Sequence, residues 1–222
     1  MIRIENLKKT YDRGRRHENE VLHGVSLNLP DTGFICILGP SGCGKTSLLN
    51  AIGGLDSFDS GTLEINGKRI NDMTYGQICR MRRSDTAFVF QGYNLISSMT
   101  ARENVELGLK YRNIPRSRRT AMALKALEQV GLGHRTQHLP HQLSGGQQQR
   151  VAIARALVLE PKVLFCDEPT GNLDKQSAAL VLDKICQLKQ NGTAVVMITH
   201  DLSLLTMADK AYTLADGKLY RL

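Results

Sequence analysis

A glycine-rich stretch, residues 39–46, constrains the fold of this 222-residue chain more than any other feature. It matches the pattern G-x-x-x-x-G-K-[ST] in full, and it follows an apolar run, Gly33–Leu38, that predicts a strand buried on both faces. Residues 46–52 predict a short helix directly after it. Because glycines let a backbone fold around a phosphate and a helix N-terminus attracts anions, the stretch predicts a phosphate-binding loop rather than a chance turn.

The pattern of this loop predicts a role for each of its residues. Lys45 is expected to reach the β- and γ-phosphates of a nucleotide, and the hydroxyl of Thr46 to coordinate Mg²⁺. The residues predicted to surround the phosphates are Gly39, Pro40, Ser41, Gly42, Cys43, Gly44, Lys45, Thr46 and Ser47.

Two carboxylates follow a second apolar run, residues 163–166. Since open α/β sheets bind ligands at the carboxyl ends of their strands, Asp167 is predicted to hold Mg²⁺ directly or through water. Glu168 is predicted to orient or deprotonate an attacking water. The loop and the carboxylates together predict a nucleoside triphosphate hydrolase or a kinase.

Apolar runs alternate with helical stretches along the chain, which predicts an α/β fold with a mainly parallel sheet. Residues 1–7 and 21–29 alternate apolar and polar side chains, as half-exposed strands do, and Asn66-Gly67 predicts a hairpin turn. The segment from about residue 92 to 143 is rich in helical signals and poor in strand signals. We therefore expect a helical insert in the sheet domain.

The chain is basic, with 29 Lys and Arg against 21 Asp and Glu, a net charge of +8. Residues 68–119 carry +7 of it, with eleven basic against four acidic residues. This charge is compatible with nucleic acid, a membrane surface or small anions as partners. No apolar leader or run of 18 uncharged apolar residues exists, and the five cysteines are scattered without Cys-x-x-Cys. These features argue against a membrane-spanning helix, a disulfide framework and a structural zinc site, and indicate a reducing cytosol.

A second glycine-rich turn, residues 143–147, precedes a predicted helix. The physics of the first loop makes it a second anion site, which suggests a nucleotide clamped between two copies of the chain. The alternative is a helix simply capped by Ser144. Spacing alone does not separate the two.

This turn is Leu143-Ser144-Gly145-Gly146-Gln147, and it continues as Gln148-Gln149-Arg150-Val151-Ala152-Ile153-Ala154-Arg155-Ala156-Leu157. In this run the chain resembles the nucleotide-binding subunit of ATP-binding-cassette (ABC) transporters over essentially its full length. The resemblance implies a P-loop NTPase (RecA-like) core with a mainly parallel sheet, an N-terminal antiparallel β-subdomain and an inserted α-helical subdomain. In this single domain, residues 1–91 and 151–222 would form the β-subdomain and core, and residues 92–150 the helical subdomain.

The resemblance also implies roles for residues outside the loop. Tyr11 would stack on adenine, Gln91 would contact Mg²⁺ and the attacking water, and His200 would contact the γ-phosphate. Asn172, Leu173 and Asp174 would form a loop that crosses a dimer interface, with Asp174 near the nucleotide. The residues expected to bind ATP from the opposite copy are Ser144, Gly145, Gly146 and Gln147.

In the mechanism so implied, two chains dimerise head to tail around two ATP molecules, and ATP hydrolysis reopens the dimer. The partner would be an integral membrane permease subunit with four membrane helices and a large extracytoplasmic domain. The chain would lie peripherally on the cytoplasmic face of the inner or plasma membrane. Its basic segment would face that partner and lipid rather than nucleic acid.

Three further runs, residues 48–56, 88–96 and 167–174, are most similar to the LolD/MacB-type subfamily, which serves lipoprotein release and macrolide or peptide efflux. They grade into the cell-division (FtsE-like) and bacitracin-export ATPases, so a division role stays open. An ABC ATPase of DNA maintenance would carry long coiled-coil inserts, and no heptad run lies between Lys45 and Asp167. A translation-type factor would need two cassettes, and a small P-loop kinase would lack the second glycine-rich turn.

Overall fold

The computed structural model describes residues 2–15 and 17–222. Its strands are β1 (Ile2–Tyr11), β2 (Asn19–Leu29), β3 (Gly33–Leu38), β4 (Ser60–Ile65), β5 (Lys68–Arg69), β6 (Thr86–Val89), β7 (Val163–Asp167), β8 (Ala194–Thr199), β9 (Lys210–Ala215) and β10 (Lys218–Arg221). Its α-helices are α1 (Lys45–Ile52), α2 (Tyr75–Asp85), α3 (Ala101–Tyr111), α4 (Arg116–Gln129), α5 (Gly145–Leu157) and α6 (Lys175–Gln190). Short 3₁₀ helices cover Ile70–Asp72, Gly133–Arg135, Pro140–Gln142 and Leu202–Met207.

The chain divides into two compact units, with one boundary within α2 and the other at the start of β8. The first unit comprises Met1–Arg82 and Ala194–Leu222, and the second comprises Arg83–Thr193. The predicted division at residues 91, 92, 150 and 151 follows other boundaries and stays a prediction.

The first unit contains an antiparallel sheet of order β2-β1-β4-β5. Along β1, Ile2 and Ile4 are buried and Arg3 is exposed, as the predicted alternation requires. A register shift between Ile4 and Leu7 interrupts the alternation, and Leu7 is buried as well. The hairpin between β4 and β5 turns at Asn66 and Gly67, both with positive φ, as the pair predicts. The predicted first position of β1, Met1, lies outside the described residues.

The first unit also contains β3 and three further strands: β3 pairs in parallel with β8 and with β9, and β10 pairs antiparallel to β9. Nearly every side chain of β3 and β8 is buried, because helices and loops cover both faces of a parallel sheet. The predicted α/β architecture with parallel strands and a separate antiparallel sheet is confirmed.

The second unit contains the parallel pair β6–β7 and four helices, α3 to α6. Helices α3, α4 and α5 pack on one another through buried side chains that include Val105, Leu127 and Val151. Thr100 and Glu103 form a capping box that begins α3, and Pro115 separates α3 from α4, where the sequence predicts the interruption. Residues 92–150 contain helices and no strand in the structure, which fully describes this stretch.

One helix was not predicted. Helix α2 is dominated by polar and charged residues, and Met81 is its only buried side chain within the described part of the chain. It therefore lacks the apolar periodicity from which a helix is recognised.

Candidate nucleotide site

The phosphate loop connects β3 to α1 and curls around the side chain of Lys45. Gly42 (φ 81°) and Gly44 (φ 100°) adopt left-handed conformations that other residues rarely take. Lys45 is only 6% exposed, and its Nζ donates to the carbonyl oxygens of Gly39, at 2.7 Å, and Pro40, at 2.8 Å. An ammonium group held by neutral carbonyls can exchange them for charged phosphate oxygens, which accept stronger hydrogen bonds.

The N-terminus of α1 is suited to an anion. Gly44 is its N-cap, and within the described residues no side chain caps the first turn and no acid lies in it. A Cβ atom at Gly44 would lie 2.7 Å from Cγ1 of Val21 in β2, so the close approach of the loop to β2 requires glycine. A helix N-terminus of this kind carries partial positive charge and attracts anions.

Three side chains contact Tyr11 at the end of β1. The Tyr11 hydroxyl lies 3.2 Å from Oγ of Ser47 and 3.0 Å from Oδ2 of Asp56, while Nζ of Lys9 lies 4.7 Å from the ring centroid. Burial raises the pKa of Asp56, but hydrogen bonds from Lys9 and Tyr11 outweigh it and hold that pKa below its ordinary value. The ring is therefore anchored beside the first turn of α1, to which Ser47 belongs.

A cleft of about 350 Å³ opens beside the phosphate loop. Residues 40–43 of the loop form one wall. The remaining lining residues are Asn19, Glu20, Val21 and His23 of β2 and Ala215, Asp216 and Gly217 at the turn between β9 and β10. Its volume lies in the range of small-molecule sites.

His200 lies at the same edge of the sheet as the phosphate loop. In the parallel pair β3–β8, Leu38 is opposite Thr199, so Gly39 and His200 are the residues that follow two paired strand ends. His200 is exposed, and the carboxylate of Asp201 accepts a hydrogen bond from the backbone N–H of Ser203 to begin a 3₁₀ helix. The structure thus brings Lys45, Tyr11 and His200 into one unit.

The predicted carboxylates lie at the carboxyl end of β7. Every residue of β7 is buried, Asp167 included, at 9% exposed. Glu168, the next residue, is half-buried and has a left-handed φ of 43°. For a residue other than glycine such a conformation is uncommon and persists only where surroundings hold it, which is frequent at functional sites.

Gln91 and Glu168 converge on Gly171. The pair β6–β7 places Val89 opposite Cys166, so the segments carrying the two side chains leave the sheet at the same edge. A Cβ atom at Gly171 would lie 3.3 Å from Oε2 of Glu168 and 3.6 Å from Nε2 of Gln91. Glycine at 171 therefore leaves room for a carboxylate and an amide side by side.

The second glycine-rich turn begins α5 as a capped helix. Oγ of Ser144 accepts from the backbone N–H of Gln147, at 3.3 Å, and the Gln147 side chain accepts from the N–H of Ser144, at 3.0 Å. The reading as a helix cap is therefore confirmed, and it coexists with an exposed Ser144. A Cβ atom at Gly145 would lie 2.7 Å from the Tyr93 hydroxyl, and one at Gly146 would lie 2.8 Å from Oγ of Ser177.

Asp174 is the N-cap of α6. Its carboxylate accepts a hydrogen bond from the backbone N–H of Ser177 at 2.9 Å, which lowers the pKa of Asp174. Asn172 and Asp174 are exposed and Leu173 is half-buried, so this segment presents polar groups at the surface.

Sequence reasoning missed Arg155 and Gln149, both on α5. Arg155 donates to the carbonyl oxygens of Asn94, at 2.7 Å, and Tyr93, at 3.0 Å, and burial lowers its pKa. The partners are 61 and 62 residues away along the chain, and no local pattern signals such contacts.

Two arginines of the basic segment, residues 68–119, form contacts within the second unit. Arg112 donates to the carbonyl oxygens of Arg83 and Ser84, and Arg119 pairs with Glu106. Arg116 and Arg118, by contrast, are exposed. The exposed basic surface is thus smaller than the charge count alone indicates.

Within residues 2–15 and 17–222, no helix combines the length and apolar character needed to cross a membrane. All five cysteines are free. Burial raises the pKa of Cys36 to about 11, so that thiol stays protonated at neutral pH.

A glycine-rich loop around a buried lysine, set between a parallel strand and a helix N-terminus, defines a P-loop nucleotide-binding protein. The family model described as ABC transporter matches residues 22–171. The chain is 43% identical over 219 residues to the uncharacterized ABC transporter ATP-binding protein MJ1508 of Methanocaldococcus jannaschii, covering 99% of this chain and 97% of that protein. The chain belongs to the ABC transporter family and is an ATP-binding, ATP-hydrolysing cassette.

Two further comparisons agree with this assignment. The dimeric structure of a post-hydrolysis state of the ATP-binding cassette MJ0796 bound to ADP and Pi matches with a TM-score of 0.93 and 38% identity, covering 99% of this chain and 96% of that chain. The macrolide export ATP-binding/permease protein MacB of Aggregatibacter actinomycetemcomitans is 40% identical over 219 residues. This chain spans 34% of MacB, so it corresponds to one part of that longer protein.

Proposed function

We propose that two copies of this chain close head to tail around two ATP molecules and hydrolyse them to drive a membrane partner. The observation that carries the proposal is the convergence of Glu168 and Gln91 on Gly171, at the carboxyl ends of two paired parallel strands. In an α/β sheet this edge is where a nucleotide and the attacking water are handled. The dimeric form of the similar MJ0796 cassette supports closure around the nucleotide.

The first half of each site holds the triphosphate. Residues 39–46 surround the phosphates, and Lys45 exchanges its bonds to the Gly39 and Pro40 carbonyls for bonds to β- and γ-phosphate oxygens. Adenine stacks on the anchored ring of Tyr11. His200 contacts the γ-phosphate from the strand end beside the loop.

Mg²⁺ fits the donor set of this chain. Thr46 offers a hydroxyl, Gln91 an amide oxygen and Asp167 a carboxylate, and oxygen ligands of this kind are those that Mg²⁺ prefers together with phosphate oxygens. When bound, the ion neutralises charge on the phosphates. Glu168 accepts a proton from the attacking water, and Gln91 orients that water.

The second half of each site comes from the opposite copy. Ser144, Gly145, Gly146 and Gln147 approach the γ-phosphate, and Asp174 lies in the segment that crosses the interface. Because the γ-phosphate is then held from both sides, its loss removes contacts to the far copy and the dimer opens. Residues 92–150 would act as a helical subdomain that carries this half, and residues 1–91 and 151–222 as the core.

The partner is an integral membrane permease, and the chain works at the cytoplasmic face of the membrane. This chain matches 34% of the length of MacB, which is named an ATP-binding/permease protein. That name supports a permease as the partner of this chain. Exposed Arg116 and Arg118 supply positive charge for contact with the partner or with anionic lipid. Lipoprotein release, efflux and a division role differ in the partner, so co-purification from membranes followed by identification of the bound chain separates them.

The central test is Glu168→Gln. The variant should bind ATP with wild-type affinity and dimerise in its presence, while turnover falls about 100-fold or more because the proton acceptor is lost. Turnover is measured by phosphate release and dimerisation by light scattering. Glu128→Gln, at an exposed position of α4, is the matched control and should hydrolyse ATP normally. Equal turnover in Glu168→Gln and wild type would refute the role of Glu168.

A further inference from the structure

Gln149 is a fully buried amide on α5, four residues after Gly145. Its side chain is 1% exposed, and Nε2 donates to the carbonyl oxygen of Pro169 at 2.7 Å. Oε1 has no hydrogen-bond partner among residues 2–15 and 17–222. One half of the amide is therefore bonded and the other half is buried without a partner.

Packing does not explain an amide at this position. A buried acceptor without a partner is destabilising, and buried polar atoms are bonded in the great majority of cases. Methionine has nearly the same length and would fill the space without an unpaired oxygen. The distinguishing contribution of Gln149 is thus its hydrogen bond to Pro169.

That bond holds the residue next to Glu168. The proline ring fixes φ of Pro169, so the orientation of its carbonyl depends on how the turn after β7 is set. Glu168 itself has a left-handed φ of 43°, which neighbouring contacts must maintain. The contacts of this turn include two hydrogen bonds: the N–H of Gly171 donates to the Glu168 carbonyl at 3.2 Å, and Gln149 donates to the Pro169 carbonyl at 2.7 Å.

We propose that Gln149 is a positioning residue for ATP hydrolysis, which sets the pose of the Glu168 carboxylate through Pro169. The proposal rests on the role proposed above for Glu168. Gln149 lies on the same face of α5 as Gly145, one turn further along. A displacement of the first turn of α5 therefore reaches Glu168 within the same chain, and ligand contacts at Ser144 are coupled to the chemistry at Glu168.

The first test is Gln149→Met. The turnover number of full-length protein should fall about 10- to 100-fold, the range expected when the support of a reacting group is removed, while the Kd for ATP stays within about twofold of wild type. The thermal unfolding midpoint should stay close to that of wild type, because the unpaired Oε1 of Gln149 is removed while the buried Pro169 carbonyl loses its donor. A wild-type turnover number would overturn the proposal, as would a loss that appears only in KM.

The second test, Gln149→Glu, gives a pH profile that a merely structural role would not produce. An ionised carboxylate cannot donate to the Pro169 carbonyl, whereas a protonated one can, and burial favours the protonated form. Turnover of this variant should therefore rise, relative to wild type and to Gln149→Met, as the pH is lowered from about 8 to about 6. A profile parallel to that of wild type would overturn the proposal.

The controls separate this proposal from the function on which it rests. Ile185→Val removes a buried methyl group in α6 and should lower stability without changing turnover per folded molecule. If Glu168→Gln hydrolyses ATP at the wild-type rate, the function of Glu168 fails. If Glu168→Gln is inactive and Gln149→Met is fully active, only the positioning role fails.

Discussion

The two glycine-rich turns of this chain each precede a helix, yet they present very different helix ends. At α1, Gly44 is the N-cap, no side chain in the described residues caps the first turn, and the buried ammonium of Lys45 lies inside the loop. At α5, Ser144 and Gln147 form a closed capping box. The first end is open to an anion, and the second has already satisfied part of its own donors.

The difference indicates a division of labour. An open helix end with a lysine can bind a triphosphate within one chain. At the capped end Arg150 is already bonded to the carbonyls of Gly146 and Val130, and the exposed Ser144 hydroxyl and the remaining N–H groups should contribute when a neighbouring copy presents a bound phosphate. ATP affinity of the isolated chain should therefore depend on the first turn, and turnover on both.

The largest expected effect is that of Lys45→Met. Removing the buried charge should raise the Kd for ATP by about 100-fold or more, since bonds between a cation and phosphate are among the strongest in proteins. Isothermal titration calorimetry measures it. Lys125→Met, at an exposed position of α4, should bind ATP as wild type does. If Lys45→Met kept the ATP affinity of wild type, the first turn would not be the main ATP-binding element of the isolated chain, and the proposed difference between the two turns would be wrong.

The next effect compares Gly44→Ala with Gly146→Ala. At Gly44, φ is 100° and the new Cβ atom would meet the Val21 carbonyl oxygen at 3.0 Å as well as its side chain. We expect a loss of about 1–3 kcal/mol in the free energy of unfolding and at least about tenfold in ATP affinity. At Gly146 the obstacle is the Ser177 hydroxyl, which can rotate away, so affinity should persist while turnover falls. Chemical denaturation and ATP titration of both variants check this, and equal affinities would contradict it.

A smaller effect separates the two capping boxes. Ser144→Ala and Thr100→Ala should each lose about 1 kcal/mol of stability, because each removes an N-cap hydroxyl. Only Ser144→Ala should also lose turnover, by about tenfold, the equivalent of one lost hydrogen bond at roughly 1.4 kcal/mol. Urea unfolding and phosphate release at saturating ATP measure the two quantities. If Ser144→Ala had the turnover number of wild type, Ser144 would act only as a helix cap.

The smallest effect is a pH dependence at the α3 box. The Glu103 carboxylate accepts from the Thr100 N–H, at 2.8 Å, and hydroxyl, at 2.9 Å, and the backbone bond in particular lowers its pKa from the ordinary 4.5. A depressed folded-state pKa stabilises the protein above the unfolded value, and this stabilisation is lost as pH falls through the folded value. The stability difference between wild type and Glu103→Gln should therefore vanish on acidification below 4.5.

The α5 box supplies the control for that measurement. Its side chains, Ser144 and Gln147, do not titrate, so the stability lost in Gln147→Ala should be the same at neutral and acidic pH. A pH-dependent loss in both boxes would point to a global change in the protein instead.

What the sequence predicted well was local. The strand, loop and helix around residues 33–52 follow from apolar runs and glycine spacing, and so does the placement of Asp167 at a strand end. Ser144 shows where sequence reasoning ends: the same residues predict a helix cap and an anion site, and the structure establishes the cap.

What could not be predicted depends on partners distant in sequence. Gln149 and Pro169 are 20 residues apart, and the cluster of Lys9, Tyr11 and Asp56 joins segments 45 or more residues apart. No periodicity encodes which buried amide meets which carbonyl. Helix α2 was missed for the opposite reason, because a polar helix with one buried side chain in the described chain has no pattern to detect.

The contact of Arg155 with the carbonyls of Tyr93 and Asn94 has a mechanical consequence. Helix α5 is a rigid rod of 13 residues, about 20 Å long, with Ser144 at one end and Arg155 near the other. Tyr93 and Asn94 both have left-handed backbone conformations, with φ of 61° and 49°. The hydrogen bonds from the Arg155 guanidinium to their carbonyls help to maintain this uncommon conformation. We expect a displacement of the N-terminal end of α5 to be transmitted through Arg155 to the segment that follows Gln91. Amide hydrogen exchange at residues 93–95 should be faster in Arg155→Lys than in wild type, because the guanidinium no longer holds this segment.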